Sequence, residues 1–202
     1  VDVLVPNSYV GKGENLSTDD LRAMIPQEHR EFRADVLEQH DLDAADLRDN
    51  EYSRKLETNS NGVLGAGLDG AKEVLEVAFA HPIGLVANAL GVPPKWMLEM
   101  GKANNVPVAA LVGAKQHAVK QAEAGVDIIV VSGTEGGGHC GSVSTMVLVP
   151  EVRRALKEYG DVPILAAGGI CTGEQMAGVM AMGADGVWCA SVFLPTTEAE
   201  TS

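Results

Sequence analysis

Basic residues are scarce in this 202-residue chain: 15 Lys and Arg stand against 28 Asp and Glu, a net charge of −13. That balance gives no electrostatic footprint for nucleic acid and none for an anionic membrane surface. Cysteine is scarcer. Cys140, Cys171 and Cys189 are the three present. Their odd number and spacing match no zinc motif and no disulfide framework, so free thiols are expected. No apolar run reaches the roughly 18 residues that a bilayer-spanning helix needs. No secretory or lipidation pattern is visible, and a cytoplasmic location is the expectation. The first residue is Val1 rather than Met, which suggests that the native start lies upstream. Finally, no G-x-G-x-x-G follows the first apolar segment, which argues against a dinucleotide-binding fingerprint.

What is present is ordinary globular material, 46% hydrophobic and 21% charged. A chain of this size buries roughly 70% of its unfolded surface on folding. Two textures divide it. Residues 14–57 carry six basic and thirteen acidic side chains, more than half of the net charge. Large apolar residues are few there. The segment reads as an acidic helical insertion on the surface of a single domain spanning 1–202, with one helix opened by Pro26.

The rest alternates. Short apolar segments at 1–5, 83–89, 106–112, 127–132, 162–167 and 185–190 are separated by helical patterns. Among these, PEVRRALKEYG places Pro150 at a first turn, with Val152, Ala155, Leu156 and Tyr159 as a stripe and Gly160 as the stop. Thr172 and Gln175 have the spacing of a capping box. Uninterrupted apolar strands alternating with helices mean a parallel sheet covered by helices, an α/β fold. An open doubly wound sheet and a (β/α)8 barrel compete. The glycines favour the barrel, because they cluster after the late strands, where barrels build phosphate sites. Setting the 44-residue insertion aside leaves 158 residues for six units. That is about 26 each, against about 31 in a whole barrel. The expectation is a partial (β/α)8 TIM barrel holding strands three to eight, with the first two βα units missing.

Two loops suit an anion. Ala166–Ile170, AAGGI, puts Gly168 and Gly169 between a strand and a helix, where backbone N–H groups and the helix dipole can meet a phosphate. Trp188, Cys189, Ala190 and Ser191 end the next strand and would close the cup with a small side chain and a hydroxyl. A third loop, VVSGTEGGGHCG from Val130 to Gly141, opens on the same edge. It holds five glycines in the nine residues 133–141. Glycine there lets the backbone approach a flat ligand closely. His139 sits among them with the pKa range of a proton-transfer group. The other four histidines, His29, His40, His81 and His117, lack such a setting and read as structural.

Ser-Gly-x-Glu-Gly-Gly-Gly-His-x-Gly over 132–141, STMVLVPEV, VPILAAGGI and GADGVW together resemble the nitronate monooxygenase family of FMN-dependent barrels. The resemblance implies FMN as cofactor. His139 would be the catalytic residue. Ser132, Gly133, Gly137 and Gly138 would line the flavin, and Gly168 and Gly169 with Trp188, Cys189, Ala190 and Ser191 would hold its phosphate. It implies oxidation of a nitronate or nitroalkane by O2 to a carbonyl compound and nitrite, with a homo-oligomer left open. Asp2 stands where the family often has an Asn touching the flavin, and Ala190-Ser191 where it usually has Gly-Thr or Gly-Ser. The same signature is shared by FMN-dependent NAD(P)H reductases acting on enoyl thioesters or quinones. An inosine-monophosphate-dehydrogenase-like barrel, with Cys140 as its loop cysteine, is a further alternative.

Overall fold

A computed structural model describes residues 2–3, 23–42, 68–138 and 140–199. The chain divides into two compact units, Ser8–Gly70 and Val1–Asn7 with Ala71–Ser202. The expected insertion at 14–57 lies within the first of these. Its described element is helix α1, Gln27–Gln39, which Pro26 precedes as N-cap.

In the other unit the strands are β1 (Asp2–Val3), β2 (Val86–Asn88), β3 (Val108–Val112), β4 (Ile128–Ser132), β5 (Ile164–Ala167) and β6 (Gly186–Trp188). Helices α2 (Leu68–Phe79), α3 (Lys95–Ala103), α4 (Lys115–Glu123), α5 (Thr145–Leu156) and α6 (Gly173–Ala181) separate β1 to β6 as expected, with α2 preceding β2. The six strands form one sheet in sequential order, and every neighbouring pair is parallel. Doubly wound sheets reverse their strand order at a switch point. These six strands do not, so the sheet is singly wound.

Pleating then sorts the side chains. One face sends Ala110, Val112, Ile129, Val131, Ile164 and Ala166 into a core with Ala118 of α4, Leu148, Val149, Val152 and Leu156 of α5, and Val179 of α6. A second cluster packs Ala71 and Leu75 of α2 and Met97 of α3 against Val86 and Val108. The opposite face gathers Ala87, Ala109, Val130 and Ala167, with Leu111, Leu165 and Trp188 beside them.

One device recurs where helices hand over to strands. Asn105 (φ 54°), Gly125 (φ 82°) and Gly183 (φ 109°) adopt the left-handed conformation after α3, α4 and α6. The next N–H in each case reaches back to the helix: Val106 to Gly101 O, Val126 to Gln121 O and Ala184 to Val179 O, at 2.9, 3.1 and 3.1 Å. These are Schellman closures. After two of them an aspartate follows at once. Asp127 Oδ2 accepts the Val108 N–H at 2.8 Å, and Asp185 Oδ2 accepts the Ile164 N–H at 2.7 Å. Each Asp N–H also donates to the same partner residue's carbonyl. The aspartate thus fixes the register of its strand against the preceding one. Arg153 reinforces the second case by donating to Gly183 O, Val162 O and Asp185.

Two expectations need correction. Helix α5 starts at Thr145, and Pro150 lies inside it rather than at its first turn. The start is set by a partner ten residues upstream, Glu135, described below, which local spacing does not reveal. Tyr159 is not core: it is 38% exposed, in a short 3₁₀ turn, and its hydroxyl donates to Glu123 at 3.1 Å.

Burial raises the Asp185 carboxyl, but the Ile164 N–H and the Arg153 guanidinium outweigh it and leave it below the ordinary aspartate value of 3.8. A carboxyl more acidic when folded stabilises above its unfolded pKa, and that contribution is lost as pH falls through the folded value. Asp185→Asn is therefore expected to lower Tm by about 2–4 °C at neutral pH. The gap to the parent should narrow below pH 3.8. Thermal melts across that range check it; a gap independent of pH would contradict the assignment.

Candidate active site

The parallel register places Ser132, Ala167 and Trp188 side by side at the ends of β4, β5 and β6. Whatever follows these three residues must emerge on one edge. The loop after β4 turns back at once: Gly133 N–H donates to Ala167 O at 3.2 Å, Gly136 N–H to Gly133 O at 3.0 Å, and Thr134 N–H to Val143 O at 3.0 Å.

Close backbone approach explains the glycines one by one. A Cβ on Gly133 would lie 2.2 Å from Thr145 N and 2.3 Å from its Oγ1. On Gly168, at φ 96°, it would lie 3.1 Å from Gly133 O and from Gly136 N. On Gly169, at φ 72°, it would meet Glu135 Cβ at 2.9 Å. On Gly137 it would stand 3.4 Å from Ser191 Oγ, so the β4 loop crosses to the end of β6. Gly138 differs: its φ is 79° and nothing stands within 4 Å, so it faces open space.

The sequence-based candidates therefore sort clearly. Ser132, Gly133, Gly137, Gly138, Gly168, Gly169 and Ser191 converge on one edge. Trp188 joins the sheet face opposite the main core, beside Ala167. Cys189 turns to the helix side, against the main core, and can offer only its backbone to that edge. Ala190 has φ −129°, a conformation open to any residue, so alanine is tolerated there without backbone strain. For Asp2 only the backbone, in β1 beside Ala87, is described. His139 lies outside the described residues.

The start of α6 corrects the expected source of donors. Thr172 and Gln175 form the capping box. Gln175 Oε1 takes the N–H groups of Cys171 and Thr172 at 2.7 and 3.0 Å. Glu174 adds a carboxylate held below its ordinary value by its own N–H and the Thr172 hydroxyl. That turn is already negative, and its N–H groups at Cys171, Thr172, Glu174 and Gln175 are taken. Among the described residues, the hydrogen bonds leave the N–H groups of Gly137, Gly169 and Ser191 without a protein acceptor. These can hold an anion.

Two residues that the spacing did not single out organise the site. Glu135 Oε2 accepts from Thr145 N at 2.8 Å and from Thr145 Oγ1 at 2.9 Å. The Thr145 N–H is the largest cause that holds the Glu135 carboxyl below its ordinary value, against a smaller opposing effect of burial. Thr145 Oγ1 also lies 3.3 Å from Ala167 O and 3.2 Å from Gly168 O. Gly141 belongs with them, since a Cβ there would strike Gly113 O at 2.2 Å. The signal that could have found Glu135 is an acid near a Ser-Thr helix start, read across a loop instead of along a helix. The three cysteines are free thiols.

The family model for nitronate monooxygenase matches residues 26–202. The chain belongs to the nitronate monooxygenase family. Along its whole length it is 46% identical to "Putative monooxygenase Rv1533" of Mycobacterium tuberculosis, of which it covers 51%. Over 113 residues, 56% of this chain, it is 41% identical to the (3aS,4S,5R,7aS)-5-hydroxy-7a-methyl-1-oxo-octahydro-1H-indene-4-carboxyl-CoA dehydrogenase of Rhodococcus jostii, covering 31% of that protein. Its fold is similar to that of nitroalkane oxidase from Streptomyces ansochromogenes, with a TM-score of 0.57 and 29% identity over 64% of this chain and 40% of that one. The chain thus spans about half, or less, of the family relatives it matches. The most glycine-dependent geometry falls inside the matched segment.

Gly133→Ala is expected to destabilise the protein by at least about 2 kcal/mol, because its Cβ would fall on buried backbone. Gly178→Ala, inside α6 with nothing within 4 Å, should instead stabilise by about 0.5–1 kcal/mol. Denaturant melts of the two variants check the opposite signs.

Proposed function

We propose that this chain is the cofactor-holding part of an FMN-dependent oxidoreductase of nitronate monooxygenase type. The observation that carries the reading is the convergence of the loops after β4, β5 and β6 on one edge, with glycine at each close approach. The arrangement fits FMN. A flat ring needs backbone without side chains, as at Gly137 and Gly138. A phosphate needs unpaired N–H donors, as at Gly169 and Ser191. On this reading the sheet is an arc of a (β/α)8 barrel, strands three to eight, whose last two loops hold the phosphate. The 3₁₀ turn Ser191–Phe193 after β6 agrees, since barrels often place a short extra helix there.

When bound, FMN supplies the electron-transfer chemistry with O2 that turns a nitronate into a carbonyl compound and nitrite. The protein's part is position and proton transfer. Gly168, Gly169, Ala190 and Ser191 hold the phosphate, with Trp188 and Cys189 setting the strand end behind it. Ser132, Gly133, Gly137 and Gly138 lie along the ring. His139 takes the proton from the carbon beside the nitro group of a neutral nitroalkane. Asp2, standing where the family often has an Asn, would bring a carboxylate that lowers the ring's reduction potential.

A second reading is favoured by one comparison. The 41% identity to a dehydrogenase of a carboxyl-CoA compound supports a thioester substrate on the same flavin edge. An NAD(P)H-dependent reductase of enoyl thioesters or quinones belongs to the same group. Nitrite release from nitronate and O2, set against NADH oxidation with and without an enoyl thioester or a quinone, separates the two readings.

His139→Ala is expected to keep FMN and to lower turnover of a neutral nitroalkane by about a hundredfold or more. Turnover of the preformed nitronate should fall much less, because no proton need be removed. Equal rates for variant and parent on the neutral substrate would rule out His139 as the base.

A further inference from the structure

The glycine loop after β4 and the Gly168–Gly169 turn after β5 share one partner, Thr145. Its N–H has a single acceptor, Glu135 Oε2 at 2.8 Å. Its hydroxyl faces three acceptors: Glu135 Oε2 at 2.9 Å, Gly168 O at 3.2 Å and Ala167 O at 3.3 Å. A threonine hydroxyl has one proton. The carboxylate is the shortest partner and the charged one, so it takes the larger share of that proton, and the Gly168 and Ala167 carbonyls are the weaker acceptors of the same shared bond. Thr145 is 6% exposed, which keeps water from replacing either partner. From the other side, the absent Cβ of Gly169 lets that turn rest on Glu135 Cβ. Glu135 therefore touches both loops and the first turn of α5 at once.

We propose that Glu135 is the positioning residue of the flavin-facing edge: its clasp on Thr145 holds the glycine loop and the phosphate turn in one fixed relation, without itself touching the flavin. The statement about FMN rests on the function proposed above; the statement about the clasp does not.

The test reads amide hydrogen exchange at Gly133, whose N–H spans to Ala167 O, and at Gly136 and position 145 in the flavin-free protein, together with FMN affinity from quenching of flavin fluorescence. The variants are Glu135→Ala, Glu135→Gln, Thr145→Val and Thr145→Ser. Glu135→Ala should speed exchange at all three positions by about tenfold or more, the size of a lost hydrogen bond to a charged group. Glu135→Gln, which keeps an acceptor oxygen without the charge, should fall between it and the parent. Thr145→Val should speed exchange at Gly133 and Gly136 and add little in the Glu135→Ala background, because one interaction is lost only once. Thr145→Ser should restore slow exchange. FMN affinity should follow the same order. Should Glu135→Ala not fold, Glu135→Gln and the Thr145 pair still decide the matter. Unchanged exchange at Gly133 in Glu135→Gln and Thr145→Val would overturn the clasp. A parent that shows the exchange pattern but binds no FMN would instead overturn the flavin reading alone.

Discussion

Backbone-to-backbone contact between the loops after β4 and β5 is the constraint on which the rest of the site depends. Gly133 N–H bonds to the Ala167 carbonyl, and Gly168 lies over Gly133 O and Gly136 N where any side chain would intrude. Two chain segments more than thirty residues apart are thereby brought to van der Waals distance along their main chains. Such contact is demanding, because neither partner can rearrange a rotamer to relieve strain. Everything beyond it, from the path to Ser191 to the open space at Gly138, follows from where these two backbones meet.

The sheet below supplies the stiffness this needs. Its strands are short, three to five residues from β2 to β6. Short strands slip easily when their pattern is uniform, and several of these are nearly all apolar. Asp127 and Asp185 counter that by holding the first N–H of the neighbouring strand. They act at the end of the sheet opposite the candidate site. Register set at one end is delivered at the other, where Ser132, Ala167 and Trp188 come level.

Much of this was readable in the sequence where the cause is local. The apolar runs gave all six strands, and the Thr172–Gln175 spacing gave its capping box, because both depend on neighbours a few residues apart. The glycine clusters marked the right loops for the same reason. What escaped was non-local. Helix α5 begins at Thr145 because Glu135 caps it across a loop, so Pro150 misled as a start signal. At the start of α6, Gln175 gives its amide oxygen to two of the donors that a phosphate could use. Gly113 has no signal among its chain neighbours, and its meeting with Gly141 shows why it has no side chain.

Pro150 in the middle of α5 has a mechanical meaning. Proline has no N–H, so the carbonyl one turn earlier, that of Met146, lacks its helical partner. Met146 is 70% exposed, and solvent can serve that carbonyl instead. The helix thus has one rung missing just after the turn that holds Thr145, and its full ladder resumes where Val152 and Leu156 enter the core. A small displacement of the first turn can be absorbed at that rung as a bend. The buried half of the helix acts as an anchor and the first turn as a compliant mount, so movement at the loop edge need not be paid out in core packing.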